Sequence, residues 1–236
     1  MKNIWLIQAE TNLHVGNESS ITAGLIDKMV QRDVLTTIPC INASSLKGAM
    51  SEYATYETNL TAKDRIAIFG SDKKNENKET AKGQCSFFDA QLMLLPVQDD
   101  YSLYRLVTSK EVIENFLAFA KAVGVKMEKD EFLRQLKNID SEHFECDMKK
   151  FEPVDVFKEH CDDDELPIIA RNNLQGNGNL WYEQVVPRKA VFATVIDSDD
   201  GIGGKLDNFN GTIIQIGANA TIGQGYCRFH KLENKK

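Results

Sequence analysis

The order in which apolar runs of different period follow one another constrains this chain more than any single motif. Residues 2–9 (KNIWLIQA) alternate, with Ile4, Leu6 and Gln8 on one face and Trp5, Ile7 and Ala9 on the other. That is the period of a β-strand, expected here to run on to Leu13. Strand-like runs recur at residues 85–96, 103–107, 190–196, 211–217 and 226–229. Helical signals stand between them. Ser44 and Ser45 precede an apolar run to Ala54, and Ser109 opens a stretch to about Val123 with Val112, Phe116, Phe119 and Val123 at mixed helical spacing. Strands and helices interleaved in this order predict an α+β domain built on a central sheet.

The segments between these runs differ in kind. Residues 16–24 form a polar, glycine-containing loop, and residues 25–33 (LIDKMVQRD) carry no helical stripe, which predicts a loop or a short irregular strand. Residues 70–83 (GSDKKNENKETAKG) have almost nothing apolar to bury and read as a mobile loop. Residues 126–166 alternate helix-like and acidic pieces, and are expected to form an insertion packed outside the main core. Two apolar segments then flank a Gly/Asn-rich tip at residues 175–179, the pattern of a projecting β-hairpin.

Charge sets the function classes that remain. A formal charge of −7 opposes nucleic-acid binding, whose non-specific affinity comes from neutralised phosphates. Its distribution removes the objection. Residues 142–166 hold ten acidic and three basic side chains, which accounts for all of the −7; the rest of the chain carries 25 of each sign. A neutral remainder can gather its cations on one face. The start of the chain meets charge too early for a signal peptide, no run is long enough to span a bilayer, and five dispersed cysteines without a CxxC favour reduced thiols, so a cytoplasmic protein is expected. Phosphate-loop, nucleophile-elbow and zinc-helix motifs are absent. His143, Cys146, His160 and Cys161 include an adjacent pair that one ion is poorly placed to use, and no zinc is expected.

Three places carry chemistry. Lys47 lies in the first turn of the helix that Ser44 or Ser45 would cap, where a cation opposes the helix dipole unless an anion is near; the alternatives are a bound phosphate and a solvated lysine. Gly217, Gly223 and Gly225 permit either close approach of backbone to a phosphate chain or a tight turn without ligand. The third place holds Asp27 and His14, which by their residues alone read as a loop carboxylate paired with Lys28 or Arg32 and a histidine at a strand end.

Taken together and in chain order, Leu13-His14-Val15-Gly16, Ile26-Asp27-Lys28-Met29-Val30-Gln31-Arg32-Asp33, Ser44-Ser45-Leu46-Lys47-Gly48, Ile68-Phe69-Gly70, Phe88-Asp89-Ala90, Ala170-Arg171-Asn172, Leu180-Trp181-Tyr182-Glu183 and the last glycine loop resemble the RAMP superfamily. Within it, the chain is similar to the repeated backbone subunit of type III-B (Cmr) CRISPR effector complexes. The resemblance spans almost the whole chain. It implies one domain over residues 1–236: an RRM-like, ferredoxin-like palm (about 1–125 and 188–236), the acidic insertion (about 126–166) and a thumb (about 167–187).

It further implies several copies stacked along a CRISPR RNA beside other subunits of the complex, with no membrane partner. Ser44, Ser45, Lys47, Arg32, Gly217, Gly223 and Gly225 would hold the guide. Arg171, Asn172, Trp181, Tyr182 and Glu183 would meet the target RNA. Asp27, with His14 as a weaker candidate, would cut that target at regular intervals with a divalent metal, Mg or Mn, the RNA's own 2′-hydroxyl being the nucleophile. Two alternatives remain: a structural guide-binding subunit that does not cut, and a standalone ribonuclease that processes repeat RNA.

Overall fold

The computed structural model describes residues 1–16, 26–56, 59–71, 81–173 and 179–233. A sheet of eight strands runs β2-β4-β8-β1-β10-β9, with β3 paired to β8 and β5 to β4. In chain order these are β1 (Lys2–Ala9), β2 (Cys40–Ile41), β3 (Cys85–Phe87), β4 (Ala90–Val97), β5 (Arg105–Val107), then β8 (Val191–Ser198), β9 (Ile213–Gln215) and β10 (Tyr226–Lys231). All pairings within it are antiparallel. A separate hairpin joins β6 (Ile168–Asn173) to β7 (Asn179–Gln184), with Arg171 opposite Trp181 and Ala170 opposite Tyr182. The α+β architecture and the projecting hairpin are thus both present. The hairpin tip and the expected mobile loop lie largely outside the described residues, as do residues 17–25 of the polar loop near Asp27.

Both faces of the sheet are covered. Consecutive side chains of an extended segment point to opposite faces. Phe87 stacks on Phe69 of α2 (Ala62–Phe69), with ring centroids 5.7 Å apart. Its neighbour Phe88 meets Phe119 of α3 (Lys110–Ala122) edge-on at 5.4 Å. Helices therefore lie on the two sides, α1 (Ala43–Tyr56) with α2 and α3 with α5 (Val154–Glu159). Residues Ile4–Ile7 and Val191–Ile196 are accordingly buried without interruption. Among the described residues the sheet therefore presents no broad open face, which leaves its margins and loops as the accessible surface.

Helix starts follow local chemistry, with one correction. Ser109 caps α3 by accepting from the Val112 N–H, as expected. α1, however, begins at Ala43, so Ser44 and Ser45 sit inside its first turn. The Ala43 N–H is instead capped from a distance by the carboxylate of Asp89, at 2.6 Å. A carboxylate at this end also suits the helix dipole, against which Lys47 stands. The first strand is likewise shorter than expected: it stops at Ala9, and Leu13 makes only an isolated bridge to Val186. Residues 85–96, read as one strand, are divided at Phe88-Asp89 into β3 and β4.

The acidic segment is not an outlying insertion. Phe132, Leu133 and Leu136 of α4 (Lys129–Ile139), together with Phe144, Phe157, Cys161 and Leu166, belong to the same buried cluster as the sheet. Phe132 stacks on Phe116 of α3 at 5.3 Å. The acids occupy the outward positions of amphipathic pieces whose apolar positions complete the core. Phe132→Ala should therefore lower the stability of the entire chain, by roughly 3–5 kcal/mol, in a single cooperative transition. Denaturant unfolding followed by far-UV and aromatic signals checks this; two separated transitions would show that the segment folds independently.

Candidate functional site

Residues 26–33 run along the base of the hairpin as an irregular strand held by single bridges: Lys28 to Glu183 in parallel, Val30 to Gly16 and Arg32 to Pro39. The backbone amides of Asp27 and Lys28 both donate to the Tyr182 carbonyl at 3.1 Å. In return the Tyr182 N–H donates to Oδ2 of Asp27 at 2.7 Å. Asp27 is exposed, and among the described residues its Oδ1 accepts nothing. The result is a carboxylate fixed at one oxygen and open at the other.

Next to it stands Glu183, whose side chain is 1% exposed. Lys28 donates to Oε1 at 2.8 Å and Trp181 Nε1 at 2.9 Å; Arg171 Nε donates to Oε2 at 3.2 Å and Asn219 Nδ2 at 2.8 Å. Lys28 Nζ also lies 5.0 Å from the centre of the Trp181 ring. Burial pushes the carboxyl pKa up, but the hydrogen bonds from Lys28, Trp181, Arg171 and Asn219 outweigh it and hold the group ionised down to about 2. One carboxylate thus ties together the Asp27 segment, both hairpin strands and the last glycine loop.

This geometry sorts the hairpin residues by face. Side chains alternate along β6 and β7, so Arg171, Trp181 and Glu183 turn inward to the network, while Asn172, Leu180 and Tyr182 turn outward and are exposed. Glu183 is consequently unavailable for direct contact with RNA: its four donors occupy it. Asn172 and Tyr182 remain open. His14, the weaker catalytic candidate, is 3% exposed. Its Nδ1 donates to the Gln184 carbonyl at 2.7 Å, and its own carbonyl accepts from the Ala218 N–H at 2.9 Å. It pins the hairpin and the glycine loop to the strand end, which is a positioning duty.

The glycines also divide. A Cβ on Gly217 would collide with the His14 carbonyl, and one on Gly225 with the Ile216 carbonyl, so the close approach at these two positions is to the chain itself. Gly223, at φ +77°, has open space where a Cβ would point, and alone of the three leaves room for a ligand. Gln215 Nε2 spans the loop, donating to the carbonyls of Gly217 and Gln224 at 3.1 and 3.3 Å. Lys47 is half-buried and forms no ion pair among the described residues. Arg32, by contrast, is engaged: Nη1 donates to the Thr37 carbonyl at 2.9 Å and Nη2 to Asp163 at 2.8 Å.

No group of three or more His, Cys, Asp or Glu side chains able to hold a metal ion exists among the described residues. His143 donates to Asp140 and stacks on Tyr104, Cys146 donates to the Leu133 carbonyl, and Cys161 is buried. Gln184, Asn219 and Asp163 belong to the site and were not singled out from the sequence, while Lys28, a candidate partner of Asp27, pairs with Glu183 instead. The one local sign was Asn219, a polar residue able to take the left-handed conformation that it adopts here at φ 67°.

With this geometry in place, comparison with known proteins is decisive at the level of family. The family model described as the RAMP superfamily matches residues 6–228. The chain belongs to the RAMP superfamily. It is 24% identical to the CRISPR system Cmr endoribonuclease Cmr4 of Pyrococcus furiosus, over 92% of this chain and 91% of that one. It is 26% identical to the CRISPR system Cms endoribonuclease Csm3 of Streptococcus thermophilus, over 82% and 90%. Its fold matches a chain of a type III-B Cmr-beta complex bound to cognate target RNA, with a TM-score of 0.76, 21% identity and coverage of 98% and 97%. It also matches oligomeric Cmr4 from Pyrococcus furiosus, at a TM-score of 0.69 and 18% identity over 100% and 99% of the two chains. This likeness agrees with the ferredoxin-like palm and projecting hairpin expected of a RAMP protein.

The Glu183 network makes its own prediction. A folded-state pKa below the unfolded value contributes stability that is present above the unfolded pKa of 4.5 and lost as pH falls towards about 2. Acid unfolding should be shallower in Glu183→Gln, which cannot titrate. At neutral pH that variant should lose on the order of 3 kcal/mol, because it leaves two cations facing a neutral amide. Urea midpoints measured from pH 7 to pH 2.5 check both statements.

Proposed function

We propose that this chain is a backbone subunit of a type III-B CRISPR ribonucleoprotein, bound in several copies along the guide RNA with the other subunits of the complex, that cuts complementary target RNA at regular intervals. The near full-length match to the RAMP superfamily and the endoribonuclease names of its relatives support the class of activity. One observation carries the assignment of the cut: Asp27 is anchored by the hairpin backbone at Oδ2 and open at Oδ1. A thumb that interrupts the guide–target duplex would bring the reacting phosphate to the open carboxylate anchored on its backbone.

Cutting RNA needs little from the protein if the substrate is well placed. The 2′-oxygen beside the scissile phosphate attacks phosphorus, the bond to the 5′-oxygen breaks, and the products are a 2′,3′-cyclic phosphate and a 5′-hydroxyl. Holding the 2′-oxygen in line with the leaving oxygen supplies much of the rate. The free oxygen of Asp27 is suited to take the 2′-hydroxyl proton, or to bind a hydrated divalent cation. Mg or Mn fits such a site only with most of its ligands drawn from phosphate and water, since Asp27 offers one oxygen and Glu183 is occupied. That cation would neutralise charge on the phosphate.

The guide is assigned to Lys47, the fifth residue of α1, and to the open backbone around Gly223. Both suit phosphates, and neither reads a base. On this reading, complexes assembled with Asp27→Ala bind guide and target as the unaltered complex does but leave the target uncut, as gel analysis of end-labelled RNA would record. Cutting that persists would support the non-cleaving alternative for this subunit. Lys47→Glu should weaken guide binding about equally for unrelated guide sequences and reduce its salt dependence by about one unit of slope, measured by filter binding.

A further inference from the structure

The acidic segment has a contact that its charge alone does not explain. Asp163 Oδ1 accepts from Arg32 Nη2 at 2.8 Å and from Gln184 Nε2 at 3.2 Å. Gln184 is fully buried, and its Oε1 accepts the backbone N–H of Val30 at 3.2 Å. A side-chain amide has one accepting end and one donating end. Asp163 offers that Nε2 two acceptors, its carboxylate and, at 3.4 Å, its backbone carbonyl, and so fixes which way the Gln184 amide points. That orientation alone provides the Val30 N–H with an acceptor. Arg32 reinforces the same place: its side chain is 18% exposed, its Nε is buried without a partner among the described residues, and Thr37 and Asp163 each accept one hydrogen bond from its Nη atoms.

Lys28, Val30 and Arg32 are alternate residues of one extended segment, and each is held on the hairpin side by a different group: Glu183, Gln184 and Asp163. Asp27 heads that segment. Two carboxylates thus clamp it, one inside the site and one from the acidic segment behind it.

We infer that Asp163 is a positioning residue for Asp27, acting through Gln184 and Arg32, so that the acidic segment controls the rate of target cutting without touching RNA. The inference rests on the assignment of the cut to Asp27. Losing the Asp163 carboxylate leaves a mostly buried guanidinium short of its anion and leaves the Gln184 amide held only by the backbone carbonyl of residue 163, at 3.4 Å, which loosens its hold on the Val30 amide. Small displacements of a reacting group weigh heavily on rate: about 1 Å can cost on the order of 100-fold.

The test uses fully assembled complexes under single-turnover conditions. Asp163→Ala should cut target on the order of 10- to 100-fold more slowly at saturating complex, with target affinity within about twofold of the unaltered complex. Asp163→Asn keeps an oxygen at the same place for Gln184 and should recover much of the rate. Arg32→Ala combined with Asp163→Ala should be no slower than the worse single variant, since both act on one segment. Backbone hydrogen exchange of residues 26–32 should rise in Asp163→Ala and return towards normal in Asp163→Asn. Unchanged cutting in Asp163→Ala overturns the inference, as does a loss that merely tracks weaker target binding or poorer assembly. An Asp27→Ala complex that cuts normally would instead overturn the assignment of the cut itself.

Discussion

The buried carboxylate of Glu183 is the interaction on which the rest of the site depends. Four donors from three separate stretches of chain converge on it, and each would be an unsatisfied polar group or an isolated charge without it. A pair of this kind gains less than its Coulomb energy suggests, because both ions lose their water. What it confers is registration. The hairpin can meet the strand of residues 26–33 in one alignment only, the one that places Lys28 beside Glu183 and the Asp27 carboxylate on the Tyr182 amide.

The doubly covered sheet sets the larger constraint. With helices on both faces, the strands offer no platform for stacked bases, and polar function moves to the rim. There the ends of β1, the hairpin base and the loop of residues 217–225 meet: His14 bonds Gln184 on one side and Ala218 on the other, and Asn219 reaches Glu183. The core thus supports a margin in which mainly the outward hairpin face, Asp27 and the Gly223 turn remain open. The acidic segment contributes to both levels, since its apolar residues fill the core while Asp163 reaches the segment that carries Asp27.

Much of the fold was legible because hydrophobic period is a local property. The alternation in residues 2–9, the Ser109 cap and the paired runs around the Gly/Asn tip each specify their element within a few residues. Failures came where a distant group decides. Asp89, 46 residues from Ala43, caps α1, so no reading of Ser44 and Ser45 in place could find the helix start. The acidic segment looked peripheral because its charge dominates its composition; that Phe132, Phe144 and Phe157 complete the core depends on what lies opposite them.

The site shows the same division more sharply. Sequence by itself determined the family and named Asp27, His14, Arg171, Trp181, Glu183 and the last glycines, which the structure brings into or around one network. It could not assign their duties. Whether a carboxylate is reactive or structural depends on how many donors surround it and how much water reaches it, and both are properties of chains brought together from positions 28, 171, 181 and 219. Only the tertiary structure separates Glu183, buried and saturated, from Asp27, held at one oxygen and open at the other. The physical reason is that ionisation and reactivity follow from local dielectric and hydrogen bonding, which residues distant in sequence supply.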